Sequence, residues 1–152
     1  MKNIVRLLLV VIFGNTSIAS AQLDWNGQER LGQPKWYNLD ELVSQKKYLE
    51  AVPDAVWLLQ NTPNLTKGLY TQSAKVFKGA VKKEKDSDRK LVLQDSALWV
   101  LDKTIELYGD EAKYLNKKGK IAWKYLSKRK GQTEELYNLY KQIYLLNGVD
   151  MS

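Results

Sequence analysis

The chain contains neither cysteine nor histidine. Those absences exclude whole classes of chemistry: a Ser-His-Asp triad, a Cys-His pair and the usual zinc ligand sets cannot be assembled. They also remove the disulfides that staple many small exported domains, and the lipid-bearing cysteine of a bacterial lipoprotein, so stability has to come from packing. No Gly-rich phosphate loop and no calcium-loop spacing occurs, and no cofactor is expected. Long apolar runs are missing too. Residues 7–13 form a short one, well below the ~20 residues that a bilayer span needs.

What is present fits one domain. The 152 residues are 44% hydrophobic and 27% charged, close to ordinary soluble composition. Lys2 and Arg6, the apolar run and then Ala19-Ser20-Ala21 have the three parts of a secretion signal, with cleavage expected between Ala21 and Gln22. The expected location is therefore periplasmic or secreted, with no membrane span after signal removal. Beyond the signal 22 basic residues face 17 acidic ones, a charge of +5. That balance suits an acidic protein or an acidic lipid, and export argues against nucleic acid. The run Lys82-Lys83-Glu84-Lys85, with its interleaved acid, reads as a solvated helix face.

Residues 22–38 carry Gly27, Gly32 and Pro34 among Trp25, Trp36 and Tyr37 without a sustained period. An irregular arm is expected there, its aromatics packed on the body. From residue 39 the pattern is helical, broken near 62–66, 85–88, 109–110 and 130–133. Six helices follow, over 39–47, 50–61, 66–85, 87–107, 110–126 and 133–146. Gly109 and Gly148 are C-terminal stops, Asp110 and Thr133 are caps, and Pro53 either delays or kinks the second helix. Residues 149–152 are a tail.

A weak internal repeat underlies these helices. Residues 51–63, 97–109 and 136–148 each run from a buried-type residue to a helix breaker twelve positions on. Within them Ala55, Leu101 and Tyr140 share one position, and Leu58, Thr104 and Ile143 another. Breaker-to-breaker distances are 46 and 39 residues.

Tyr48-Leu49-Glu50-Ala51, followed by Trp57-Leu58-Leu59-Gln60-Asn61-Thr62-Pro63-Asn64, resembles the second half of a tetratricopeptide repeat, and Gly119 matches the small residue of that repeat's first helix. The chain is similar to divergent exported bacterial members of the family. It departs from the pattern in two closing glycines where prolines are usual, in lacking a tryptophan-leucine-glycine signature and in repeats longer than the usual ~34 residues. The resemblance implies an all-α superhelix of about three helical hairpins over residues 39–148, an ordinary six-helix bundle being the alternative. It also implies a scaffold that binds a protein or peptide, not an enzyme.

Family ligands lie along the first helix of each hairpin, which nominates Lys67, Tyr70, Thr71 and Lys78 in the second repeat. In the third it nominates Lys113, Asn116, Lys117, Lys120 and Lys124. Lys113 and Lys117, one turn apart, resemble paired basic positions that clamp a peptide carboxylate, so the expected partner is anionic. Two other classes stay open. Asp86/Asp88, Asp110/Glu111 and Glu134/Glu135 would have to converge to make a glycosidase, although acids at helix starts also simply favour the helix dipole. A carrier of an apolar ligand would need a closed cavity lined by Trp57, Trp99 and Trp123, which, like the tyrosines at 108, 114, 125, 137, 140 and 144, are expected mainly in core and inter-hairpin packing. The identity of the partner and the oligomeric state are left open.

Overall fold

Helix formation follows the punctuation of the chain. The computed structural model describes residues 23–148, and six α-helices succeed one another with no strand among the described residues. They are α1 (Glu29–Ser44), α2 (Tyr48–Asn61), α3 (Lys67–Lys83), α4 (Ser87–Tyr108), α5 (Glu111–Leu126) and α6 (Thr133–Asn147). The expected leader and the tail at 149–152 lie outside the described residues. No described helix is long and apolar enough to cross a membrane.

Two N-termini are satisfied by side chains. The hydroxyl of Thr66 accepts from the Gly68 N–H, and the Asp86 carboxylate accepts from the Arg89 N–H at 2.8 Å. Gly109 and Gly148, both at positive φ, end α4 and α6 by donating to the carbonyls of Ile105 and Tyr144. Of the expected caps, Asp110 does hold the N-cap position of α5 but without a side-chain bond, and Thr133 is corrected. Asp110 is left-handed at φ 61° and makes no capping bond, its carboxylate pairing with Lys113 at 3.2 Å instead. Thr133 is already helical, and the cap position falls to Gln132. Pro53 does not delay α2, which starts at Tyr48 and runs through it.

The irregular arm expected over residues 22–38 is helical from Glu29 onward, so the helical body begins ten residues earlier than the sequence pattern indicates. The cause is tertiary. Gln28 accepts the first amides of the helix from Leu31 and Gly32, and the buried Trp25 ring folds back on Gly32 so tightly that a Cβ there would stand 2.8 Å from it. Lys35 and Asn38 then both donate to Asp54 of α2, at 3.0 and 2.6 Å. Docking outweighs Pro34, whose missing N–H forfeits a single bond of the helix ladder.

Each helix packs on the next in order, and α1 also reaches α3. The last helix does not return to the first, and the backbones of α3 and α5 stay apart, with side chains alone bridging them. This neighbour-only packing is the behaviour of stacked helical hairpins, in which each pair buries its apolar side against the adjoining one. Leu39, Ala51, Ala55, Leu58, Leu69, Val76, Phe77, Ala80, Val100, Ala122 and Ile143 form a continuous core through the stack. Each large apolar side chain fully withdrawn there is worth about 1.5–3 kcal/mol. Gly119 allows α5 to approach α6, since a Cβ would lie 2.6 Å from Ile143.

The aromatic residues divide differently from expectation. Tyr114 and Tyr125 are buried, and Trp57, Tyr108 and Tyr140 half-buried. Trp99, Trp123, Tyr137 and Tyr144 are exposed, at 44%, 60%, 66% and 55%, and so lie outside the core and the inter-hairpin contacts.

Candidate functional site

Because α3 and α5 both pack on α4 with their backbones apart, a cleft of about 340 Å³ opens between them. Ala97, Leu101 and Thr104 of α4 make its floor. Tyr70, Thr71, Ala74, Lys75 and Lys78 line one wall, and Tyr114, Lys117, Lys120 and Ile121 the other. An apolar floor with polar groups at the rim is a common plan for a recognition site, and the volume is at the lower end of such pockets.

The walls are basic because one face of α3 and one of α5 repeat lysine at helical spacing. Thr71, Lys75, Lys78 and Lys82 recur every three or four residues on α3, as do Lys113, Lys117, Lys120 and Lys124 on α5. The cleft continues past Lys78 into a second depression lined by Lys82, Lys90 and Lys124. Among the described residues neither part has an acidic lining residue. Among the described residues, Lys113 alone of these lysines is ion-paired, with Asp110.

At the other end Tyr114 is a hub. The ammonium groups of Lys117, Lys67 and Lys113 lie 5.0, 5.2 and 5.8 Å from its ring centre, and Lys67 is also 5.9 Å from that of Tyr108. Each such contact is worth about 0.5–1 kcal/mol at an exposed site. Three like charges around one buried phenol ring repel one another, and an anion there would relieve that repulsion. Tyr70 meets Tyr108 edge-on, with centroids 5.8 Å apart, and donates its hydroxyl to the Pro63 carbonyl at 2.9 Å. Burial pushes the Tyr70 phenol above its ordinary value, reinforced by Tyr108 and Glu106, and burial does the same to Tyr108. Both stay neutral donors at physiological pH.

Of the residues nominated from the sequence, Tyr70, Thr71, Lys78, Lys117 and Lys120 line this cleft together. Lys67 and Lys113 gather at its Tyr114 end, and Lys124 lines the continuation. Asn116 does not line this cleft and shares the α6-facing flank of α5 with Gly119 and Trp123 at helical spacing. Sequence reading missed Lys75, Lys82, Lys90, Tyr114 and Ile121. The first two were visible in the lysine period of α3. Tyr114 was grouped with the packing aromatics, and only the fold brings Lys90 of α4 alongside.

Two of the acids considered for hydrolysis are engaged elsewhere. Asp86 caps α4 and Asp110 pairs with Lys113. Glu134 and Glu135 border a wider depression of about 500 Å³ beside Lys118, Gln132 and Asn138, where charges of both signs meet. No family model matches the chain, and no curated protein or solved structure is significantly similar to it.

Proposed function

We propose that the protein is an exported adaptor, built from divergent tetratricopeptide-like hairpins, that holds an acidic segment of a protein or peptide partner in the α3–α5 cleft. The observation that carries this reading is the convergence of lysines from two helices on an apolar-floored cleft with no acidic lining residue among the described residues. Unpaired ammonium groups with freedom to move make charge-assisted bonds to carboxylates without first breaking internal ion pairs. Neighbour-only helix packing, the buried Ala51 and Ala55 of the repeat-like segment and the close approach at Gly119 support the family reading. Export rests on the amino-terminal pattern of the sequence.

The test is a titration of fluorescently labelled peptides of Glu and Gly, flexible and without an apolar stripe, beside Lys/Gly controls. The acidic peptide binds, binding weakens as ionic strength rises past the ~10 Å screening regime of 0.1 M salt, and the Lys75→Gln, Lys78→Gln, Lys117→Gln, Lys120→Gln variant loses it with helicity unchanged. Equal binding of both peptides, or full retention by the variant, overturns the proposal.

A further inference from the structure

The internal register shows what each second helix of a hairpin does for the next hairpin. On α4, Leu98 and Leu101 are buried, and they border Lys118 and Leu126 in one place and Tyr114 and Ile121 in the other, all from α5. Asp102, one residue on, takes the Lys118 ammonium at 2.8 Å. Ile105 completes this face as a half-buried residue against the core. The register places Val52, Ala55 and Leu59 at the corresponding positions of α2, where Ala55 and Leu59 are buried and Val52 packs on the core.

In α6 the same register gives Tyr137, Tyr140 and Tyr144. Tyr137 and Tyr144 are 66% and 55% exposed, and Tyr140 is half-buried. Beside them Trp123 of α5 stands edge-on to Tyr140 at 6.2 Å and is 60% exposed, whereas Phe77, at its register position in α3, is buried. On α6 the aromatics that leave the core thus occupy positions that elsewhere meet the following helix, whereas Trp99 of α4 and Tyr37 of α1 are exposed outside that register. Large rings remain where a polar terminus would be expected of a finished stack.

From this we propose that the α5–α6 end face is a second binding site, which receives an amphipathic helix of a protein partner as α4 receives α5. Charge selects the helix. Lys141 stands where α4 has Asp102, so the incoming helix carries a carboxylate where α5 carries Lys118. Residues 110–148 hold nine basic against four acidic side chains, which favours acidic flanks throughout. The size fits one helix. Aromatic side chains of about 150–250 Å² that are roughly half exposed amount to about 400 Å², half of the ~800 Å² per partner of a standard interface. A second copy docking α6 on α6 would bring two such basic hairpins together. The outer face of α1 offers a second copy only Leu31 and Tyr37 as exposed large apolar side chains, set among Glu29, Arg30, Gln33, Asn38 and Glu41.

The test uses the full chain and a designed helical peptide with a leucine stripe flanked by glutamates, beside its lysine-flanked counterpart, read by fluorescence anisotropy. Expected, in the Lys75→Gln, Lys78→Gln, Lys117→Gln, Lys120→Gln background that removes acidic binding at the α3–α5 cleft, is binding of the glutamate peptide that Tyr137→Glu, Tyr144→Glu weakens at least about tenfold, the loss typical of central interface residues. Both tyrosines are exposed, so circular dichroism should show the variant folded. Lys141→Glu should shift preference toward the lysine-flanked peptide. Binding lost with the cleft lysines but kept without the tyrosines would overturn the end-face site while leaving the cleft proposal standing. Sedimentation showing a dimer that Tyr137→Glu, Tyr144→Glu dissolves would assign the face to a second copy, and absence of peptide binding would show it to be a bare terminus; either overturns the proposal.

Discussion

The ring of Tyr48, the first residue of α2, lies so close over Gly79 of α3 that no space remains for a Cβ. The contact is with the body of the ring and not with a flexible tip, so neither partner can give way locally. Gly79→Ala should therefore destabilise the protein by about 1–3 kcal/mol through overpacking, despite a helix propensity gain of about 1 kcal/mol. Urea unfolding of Gly79→Ala, Tyr48→Ala and the double variant checks this. The double variant should be more stable than the sum of the single effects implies, and simple additivity would remove the proposed contact.

Glu84 closes the turn between α3 and α4. Its Oε1 accepts from the Asp86 and Lys85 amides at 3.0 and 2.8 Å, and its Oε2 faces Arg89 at 3.5 Å. The amide of Asp86 first, then that of Lys85 and the Arg89 charge, hold the carboxyl below its ordinary 4.5 against the opposing effects of desolvation and of Asp86. A carboxylate with a lowered folded pKa contributes stability that is complete above the unfolded value and disappears as pH falls through the folded one. Glu84→Gln should thus be less stable than the natural chain at pH 7, and the gap should narrow below about pH 4.5, the start of carboxyl protonation in the unfolded chain. Thermal unfolding across pH 2–7 measures it, and a gap independent of pH would show that charge is irrelevant to this turn.

Ser73 is buried in α3, and its hydroxyl finds no hydrogen-bonding partner among the described residues. By contrast Thr62 and Thr104, equally buried, donate back to the carbonyls of Leu58 and Val100. An unsatisfied hydroxyl costs about 1–3 kcal/mol in lost hydration, so Ser73→Ala should stabilise the protein, whereas Thr104→Val should not. Chemical denaturation of both variants decides it; a Ser73→Ala variant that loses stability would show that the hydroxyl is satisfied in solution.

Most of the helical framework was legible because its signals are local. Thr66 and Asp86 accept the amides two and three residues ahead, and Gly109 and Gly148 end helices through positive φ, relationships that operate within a turn of chain. Lysine spacing is equally local: it marked one side of α5 as basic, while the matching period of Lys75, Lys78 and Lys82 on α3 was visible but missed. The repeat position shared by Leu58, Thr104 and Ile143 is buried in all three hairpins, whereas of Ala55, Leu101 and Tyr140 the last is only half-buried.

Wherever a distant segment supplied the energy, local reading failed. Residues 29–38 are helical because Trp25 covers Gly32 and because Asp54 holds Lys35 and Asn38, and none of these contacts leaves a periodic trace. Trp123, Tyr137 and Tyr144 look like core residues by type, yet burial requires a facing element and the described chain provides none. The sequence by itself determined six helices, their approximate limits and two basic faces, since hydrogen bonds and side-chain period act over a few residues. Only the tertiary structure decided that those faces oppose each other across α4 and that the last aromatic face stays open, because both depend on which helices meet.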